Sequence, residues 1–214
     1  MEKPARKIKA SRGKHHRFQV PFLRTKSMIL CESSIERDYV KVLDFDPSIV
    51  KVISQPIKIT YIYRGKKRKY YPDFKVITIT GEIWIIEIKP EGKLRTEENL
   101  IKYAVGQSYC SQLGWEYKIV TDTLIRPGYF QKNLSLLRSL GTQPVETKDL
   151  LYITQKLMDL ERCKISELRG RCSELETENF YKAIYSLIYH HNIYTDLISQ
   201  ELNDEAEVSI QLEV

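Results

Sequence analysis

The run Ile83-Trp84-Ile85-Ile86-Glu87-Ile88-Lys89 constrains this chain more than any other segment, because an almost wholly apolar stretch carries a carboxylate and an ammonium group two positions apart. In a strand, residues i and i+2 share a face. Upstream, Phe74-Lys75-Val76-Ile77-Thr78-Ile79 alternates with period two and Thr80-Gly81 supplies a turn, so the two runs are expected to pair as a hairpin, with the second at the centre of a sheet. Pro90 ends that strand. Burying Glu87 and Lys89 together is costly unless they pair or hold an ion.

Asp73, in Tyr71-Pro72-Asp73, stands just before the first strand of this hairpin. With Asp73 beside Glu87, two carboxylates and the Ile88 carbonyl between Glu87 and Lys89 make a hard-oxygen set for Mg2+, with Mn2+ as a substitute. Lys89 then faces a scissile phosphate, where it orients the attacking water or offsets developing charge. That is the equipment of a metal-dependent phosphodiester hydrolase. The plainer reading is a Glu–Lys ion pair plus a turn aspartate; the strand context and the basic surroundings favour the nuclease.

A third carboxylate comes earlier. Ile35, Tyr39, Val42 and Leu43 recur at helical spacing and place Glu36 in the first turn of an amphipathic helix. Ser33-x-x-Glu36 is a capping box, and a capping carboxylate needs no catalytic role. The alternative is that Glu36 reaches the Asp73/Glu87 cluster, and spacing leaves the two even. Glu32, before the cap, is the weaker competitor.

Charge divides the chain. Residues 1–140 hold 27 Lys/Arg against 14 Asp/Glu, whereas residues 141–214 hold 7 against 14. The first part suits a phosphate backbone. Candidate DNA contacts are Lys14, Arg17 and Arg24 in a basic tail, Lys66, Lys67, Arg68 and Lys69 beside the centre, and Lys93, Arg95 and Lys102 after the catalytic strand. The chain of 214 residues, 42% hydrophobic and 29% charged, suits a folded protein. Its four cysteines are too scattered for a zinc cluster or a disulfide framework. No apolar run suggests a signal or a membrane span, so the expected location is cytoplasmic and DNA-associated.

Downstream, Glu97–Leu113 reads as a helix with the apolar series Leu100, Ile101, Ala104, Val105 and Tyr109, stopped by Gly114 and followed by a strand at 115–120. Beyond a connecting segment that carries a short helix at 133–140, helices at 148–160, 165–171 and 176–191 lead into extended runs at 193–198 and 207–212, a pattern that suggests a winged-helix-like module. Its last long helix carries Lys182 against Glu176 and Glu178, which favours a protein partner over DNA.

The assembly of Cys31-Glu32-Ser33-Ser34-Ile35-Glu36-Arg37, Leu43 to Val50, Gln55-Pro56, Tyr71-Pro72-Asp73-Phe74 and Ile86-Glu87-Ile88-Lys89-Pro90 resembles TnsA, the endonuclease subunit of heteromeric bacterial transposases, of the restriction-endonuclease-like superfamily. The resemblance covers about the first 125 residues. It implies an α/β mixed-sheet nuclease core and makes Glu36, Asp73 and Lys89 the helix glutamate, the metal aspartate and the strand-end lysine. Some members have glutamine where this chain has Glu87. The implied activity is Mg2+-dependent cleavage of the non-transferred strand in double-stranded DNA at transposon ends, beside a DDE transposase and an AAA+ regulator, in a bacterial cytoplasm. A stand-alone restriction or phage-type nuclease and a catalytically silent DNA-binding assembly subunit are the alternatives. The expected organisation is a basic tail (1–25), a catalytic domain (26–125), a connecting segment (126–144) and a winged-helix-like, partner-binding domain (145–214).

Overall fold

The computed structural model describes residue 5 and residues 17–210, which form two compact units, residues 1–125 and 126–214. The first unit opens with an antiparallel hairpin, β1 (Phe18–Phe22) and β2 (Ser27–Cys31), followed by α1 (Ser34–Phe45). Then come β3 (Ile49–Ser54), the ribbon β4 (Ile59–Tyr63) and β5 (Lys66–Tyr70), β6 (Phe74–Thr78), β7 (Ile83–Lys89), α2 (Glu97–Gln112), β8 (Glu116–Thr121) and the short α3 (Asp122–Ile125).

The main sheet has the order β3-β6-β7-β8. β3, β6 and β7 are antiparallel, and β8 returns parallel to β7 through α2, as a strand–helix–strand crossover requires. β7 is therefore an inner strand, as its apolar sequence demands, with Ile85 and Ile86 fully buried. Each such side chain contributes roughly 1.5–3 kcal/mol of burial.

Register sorts the side chains onto two faces. Val52, Phe74, Val76, Ile86 and Ile88 lie on one face and close a core with Val40 and Leu43 of α1 and with Val20, Phe22 and Ile29 of the first hairpin. Lys75, Ile85 and Tyr117 stand side by side on the other face, and Glu87 and Lys89 continue it. β1 corrects the expected tail: residues 18–22 are a paired strand whose Val20 and Phe22 belong to the core. Lys14 and most of the basic tail lie outside the described residues.

α2 covers the second face, but not with the expected apolar series. Its buried residues are Asn99, Tyr103, Gly106 and Cys110, whereas Leu100 is 53% exposed and Ala104 is exposed. The reason is that the sheet face beneath it is polar at one end and aromatic at the other. It takes a tyrosine hydroxyl and a close helix approach rather than leucines.

In the second unit, α4 (Phe130–Leu140), α5 (Thr147–Leu160), β9 (Arg162–Lys164), α6 (Ile165–Arg171), α7 (Thr177–Tyr189), β10 (Ile193–Tyr194) and β11 (Glu207–Ile210) follow in order. The strands form an antiparallel sheet, β10-β11-β9. Three differences from expectation stand out. β9 pairs with β11 although its three residues carry no periodic signal; β10 is only two residues long; and α4, in the expected connecting segment, packs on α7 as part of this unit. α7 is buried continuously from Ala183 to Tyr189, the signature of a helix enclosed on several sides.

Candidate active site

The site forms where the C-terminal end of β7 meets the residue before β6. Continued pairing beyond the ladder fixes Asp73: its amide donates to the Ile86 carbonyl (3.1 Å), and its own carbonyl accepts from the Gln55 amide (2.8 Å). The side chain turns to the strand end, where Asp73 Oδ2 accepts from the Ile88 amide at 2.7 Å. Burial raises the carboxyl well above its usual range, and the charges of Glu87 and Glu36 raise it further against the pull of Lys89.

Glu87 is 2% exposed and held at both oxygens. Lys89 Nζ lies 2.5 Å from Oε1, and the Tyr70 hydroxyl donates to Oε2 at 2.6 Å. Lys89 Nζ also donates to the Ile88 carbonyl at 3.0 Å. Burial lowers the Lys89 titration, yet Asp73 and Glu87 outweigh it and hold the ammonium above its ordinary range. Asp73, Glu87, Ile88 and Lys89 are thus brought together.

Glu36 is placed by α1. Ser33 Oγ accepts from the Glu36 amide (3.1 Å) and donates to Oε1 (2.8 Å), while Oε2 accepts from the Glu32 amide (2.8 Å). Ser33 therefore caps the helix as expected, but the glutamate reaches back one residue further than in a capping box, to the Glu32 amide and the Ser33 hydroxyl. Glu36 also stands in the field of Lys89 and Asp73, so it borders the site as well. Burial raises its carboxyl, while the Glu32 and Ser33 hydrogen bonds lower it.

The donor set suits a hard divalent cation, since Asp73, Glu87 Oε1 and the Ile88 carbonyl offer only oxygen. Two of those three already share a cation, the Lys89 ammonium, so a metal fits once that ammonium turns away. No group of three His, Cys, Asp or Glu among the described residues is gathered to hold a metal, so the Ile88 carbonyl and water must complete any such shell.

Sequence reasoning missed the tyrosines. Tyr70 ends β5, its hydroxyl 2.7 Å from that of Tyr117 on β8, so the basic ribbon is tied to Glu87 by side chains. The ribbon turns at Arg64-Gly65, both at positive φ, as a two-residue hairpin loop requires. Gly106 of α2 lies against the Tyr117 ring, and a Cβ there would stand 2.3 Å from Tyr117 Cε2.

Lys66, Lys67, Arg68 and Lys69 are exposed along β5. Arg68 and Lys69 line a groove of about 360 Å³ with Tyr61 and Arg64 of the ribbon and Glu98 and Lys102 of α2. Lys102 is paired with Glu98 at 2.6 Å, and Arg64 Nη2 and the Tyr63 hydroxyl both donate to Glu97. Lys93 and Arg95 are exposed between β7 and α2. Arg24 instead donates to the carbonyls of Asp46 and Pro47 beyond the end of α1, and Arg17 precedes β1.

No helix among the described residues is long and apolar enough to cross a membrane. No curated protein matches the chain. Residues 46–122, which run from the end of α1 to the start of α3, match the family model described as TnsA-like endonuclease N terminal.

Proposed function

We propose, from a chain that carries a TnsA-like endonuclease N-terminal domain at residues 46–122, that it is the DNA-cleaving subunit of a heteromeric transposase, and that it cuts the non-transferred strand at transposon ends. The observation that carries this reading is the convergence of Asp73, Glu87, the Ile88 carbonyl and Lys89 at one strand end, beside the exposed basic ribbon β4–β5. A scaffold gains nothing from two half-buried or buried carboxylates whose charges oppose each other.

Asp73, Glu87 and the Ile88 carbonyl would hold Mg2+ or Mn2+, with Glu36 at the border of the site. Bound there, the ion supplies positive charge to the phosphate and acidity to a water. With the ion on those oxygens, Lys89 would turn from Glu87 toward the phosphoryl oxygens and serve them as a charge. Arg68, Lys69 and Lys102 line the approach and position the backbone without reading bases.

The second unit is proposed as a winged-helix-like module that binds protein partners, a DDE transposase and an AAA+ regulator. The order α5-β9-α6-α7-β10-β11 within it supports the first part of that reading, and the acidic start of α7, with Glu176 and Glu178 against Lys182, supports the second. One observation favours a catalytically silent assembly subunit instead: Lys89 already neutralises the oxygens a metal needs.

Calorimetry decides between the two. A binding event for Mn2+ present in the wild type and lost in D73A supports the catalytic reading, as does K89A that binds metal and duplex DNA but does not cleave. Metal binding unchanged in D73A defeats the assignment.

A further inference from the structure

Tyr103 sits at the middle of the buried face of α2, between Asn99 and Gly106, and only 9% of it is exposed. Its hydroxyl is buried and has no hydrogen-bond partner among the described residues. Such a group costs free energy unless something outside the chain completes it. Asn99, one turn earlier, is satisfied by the Lys93 carbonyl at 2.7 Å, and Gly106, one turn later, lets α2 rest on the Tyr117 ring. The helix is therefore pinned on both sides of Tyr103, over the sheet face that carries Glu87 and Lys89.

The charges nearest the Tyr103 hydroxyl belong to the site. Burial pushes the phenol up, Lys89 pulls it down, and Glu87 and Asp73 push it up again, so it stays a donor in the field of all three. Each of those three groups has a partner inside the chain: Asp73 on the Ile88 amide, Glu87 on Tyr70 and Lys89, Lys89 on Glu87 and Ile88. Lys89, with three N–H groups and two partners, keeps one donor free, and the Tyr103 hydroxyl adds a second unused donor in the same field.

We propose that Tyr103 is a further catalytic residue, whose hydroxyl donates a hydrogen bond to a non-bridging oxygen of the scissile phosphate. This rests on the nuclease reading. The hydroxyl is covered in the free chain, so the backbone of bound DNA must first uncover it, and the phosphate then completes the donor. As water adds to phosphorus and the bond to the leaving ester oxygen breaks, charge grows on the non-bridging oxygens, and the hydroxyl already seated on one of them meets it. The helix carries the donor at a set height, because Gly106 and Tyr117 determine how closely α2 approaches.

The test is Y103F in the full chain, beside D73N and K89A, with three readouts. A merely structural tyrosine would lower the melting temperature when its hydroxyl is removed; an orphaned one leaves it unchanged or raises it. Cleavage of duplex DNA by Y103F is expected to fall by about 10²-fold, as for loss of one donor to a developing oxyanion, with duplex binding in Ca2+ nearly unchanged. In protein carrying [13Cζ]tyrosine, the resonance lost in Y103F is expected to shift when duplex is added with Ca2+.

Full cleavage by Y103F while D73N is inactive, or a Tyr103 resonance indifferent to duplex, overturns the assignment and leaves the nuclease reading intact. Cleavage by D73N at the wild-type rate overturns both.

Discussion

Substituting Gly106 by alanine tests how the helix, the sheet and the site are joined. In an ordinary helix interior Gly→Ala stabilises by roughly 1 kcal/mol. Here the new methyl would stand 2.3 Å from Tyr117 Cε2, 2.7 Å from Cζ and 2.9 Å from Cδ2, well inside van der Waals contact. Either α2 lifts or the ring moves by about 1.2–1.7 Å, the shortfall from normal carbon–carbon contact of about 3.5–4.0 Å. Overpacking of this kind costs about 1–3 kcal/mol. A ring displacement also stretches the 2.7 Å bond from Tyr117 to Tyr70, which contributes about 1 kcal/mol. Net of the helical gain, G106A is expected to lose about 1–3 kcal/mol, read as a lower urea midpoint at constant slope. In a Y117L background the same substitution is expected to be neutral or to stabilise by up to about 1 kcal/mol, a coupling of about 1–4 kcal/mol. A G106A protein about 1 kcal/mol more stable than the wild type, with no coupling to residue 117, would refute the packing argument.

Other expected outcomes are as follows. S33A removes the cap of α1 and is expected to cost about 1 kcal/mol in chemical denaturation, because the Glu36 amide loses its acceptor. N133A is expected to cost about 3 kcal/mol, since the buried Asn133 donates to the Leu197 and Gln200 carbonyls and accepts from the Leu202 amide. Asp73 has a folded pKa raised above its unfolded value near 4, so in the metal-free protein the unfolded state releases its proton first and stability falls as pH rises from about pH 4 toward the raised value. D73N is expected to melt higher than the wild type at neutral pH without metal and to lose part of that pH dependence, as thermal scans across the window will show.

The central hairpin and the Glu87/Lys89 pair were legible because period two, a turn dipeptide and a proline stop all agree over 74–90. Asp73 was legible as a residue adjoining that hairpin, while the backbone bonds to Ile86 and Gln55 that aim it arise only once three strands are aligned. Glu36 was ambiguous for a physical reason that persists in the fold: one carboxylate caps its own helix and still lies in the field of Lys89 and Asp73. The α2 face was misread because Leu100 and Ala104 are apolar yet point to solvent, whereas Tyr103 and Gly106 are selected by what lies opposite them. Tyr70 follows directly on the basic run, and its role depends on a contact across 17 residues with Glu87, which no local pattern encodes. β9 was invisible at three residues, too short to carry a period.

The most direct test of the central claim maps both strand breaks at a transposon end in a reaction reconstituted with the transposase and its regulator, comparing wild type with D73N. The account predicts that D73N abolishes the break on the non-transferred strand while the transferred strand is still cut and joined. Identical breaks on both strands with wild type and D73N would contradict it.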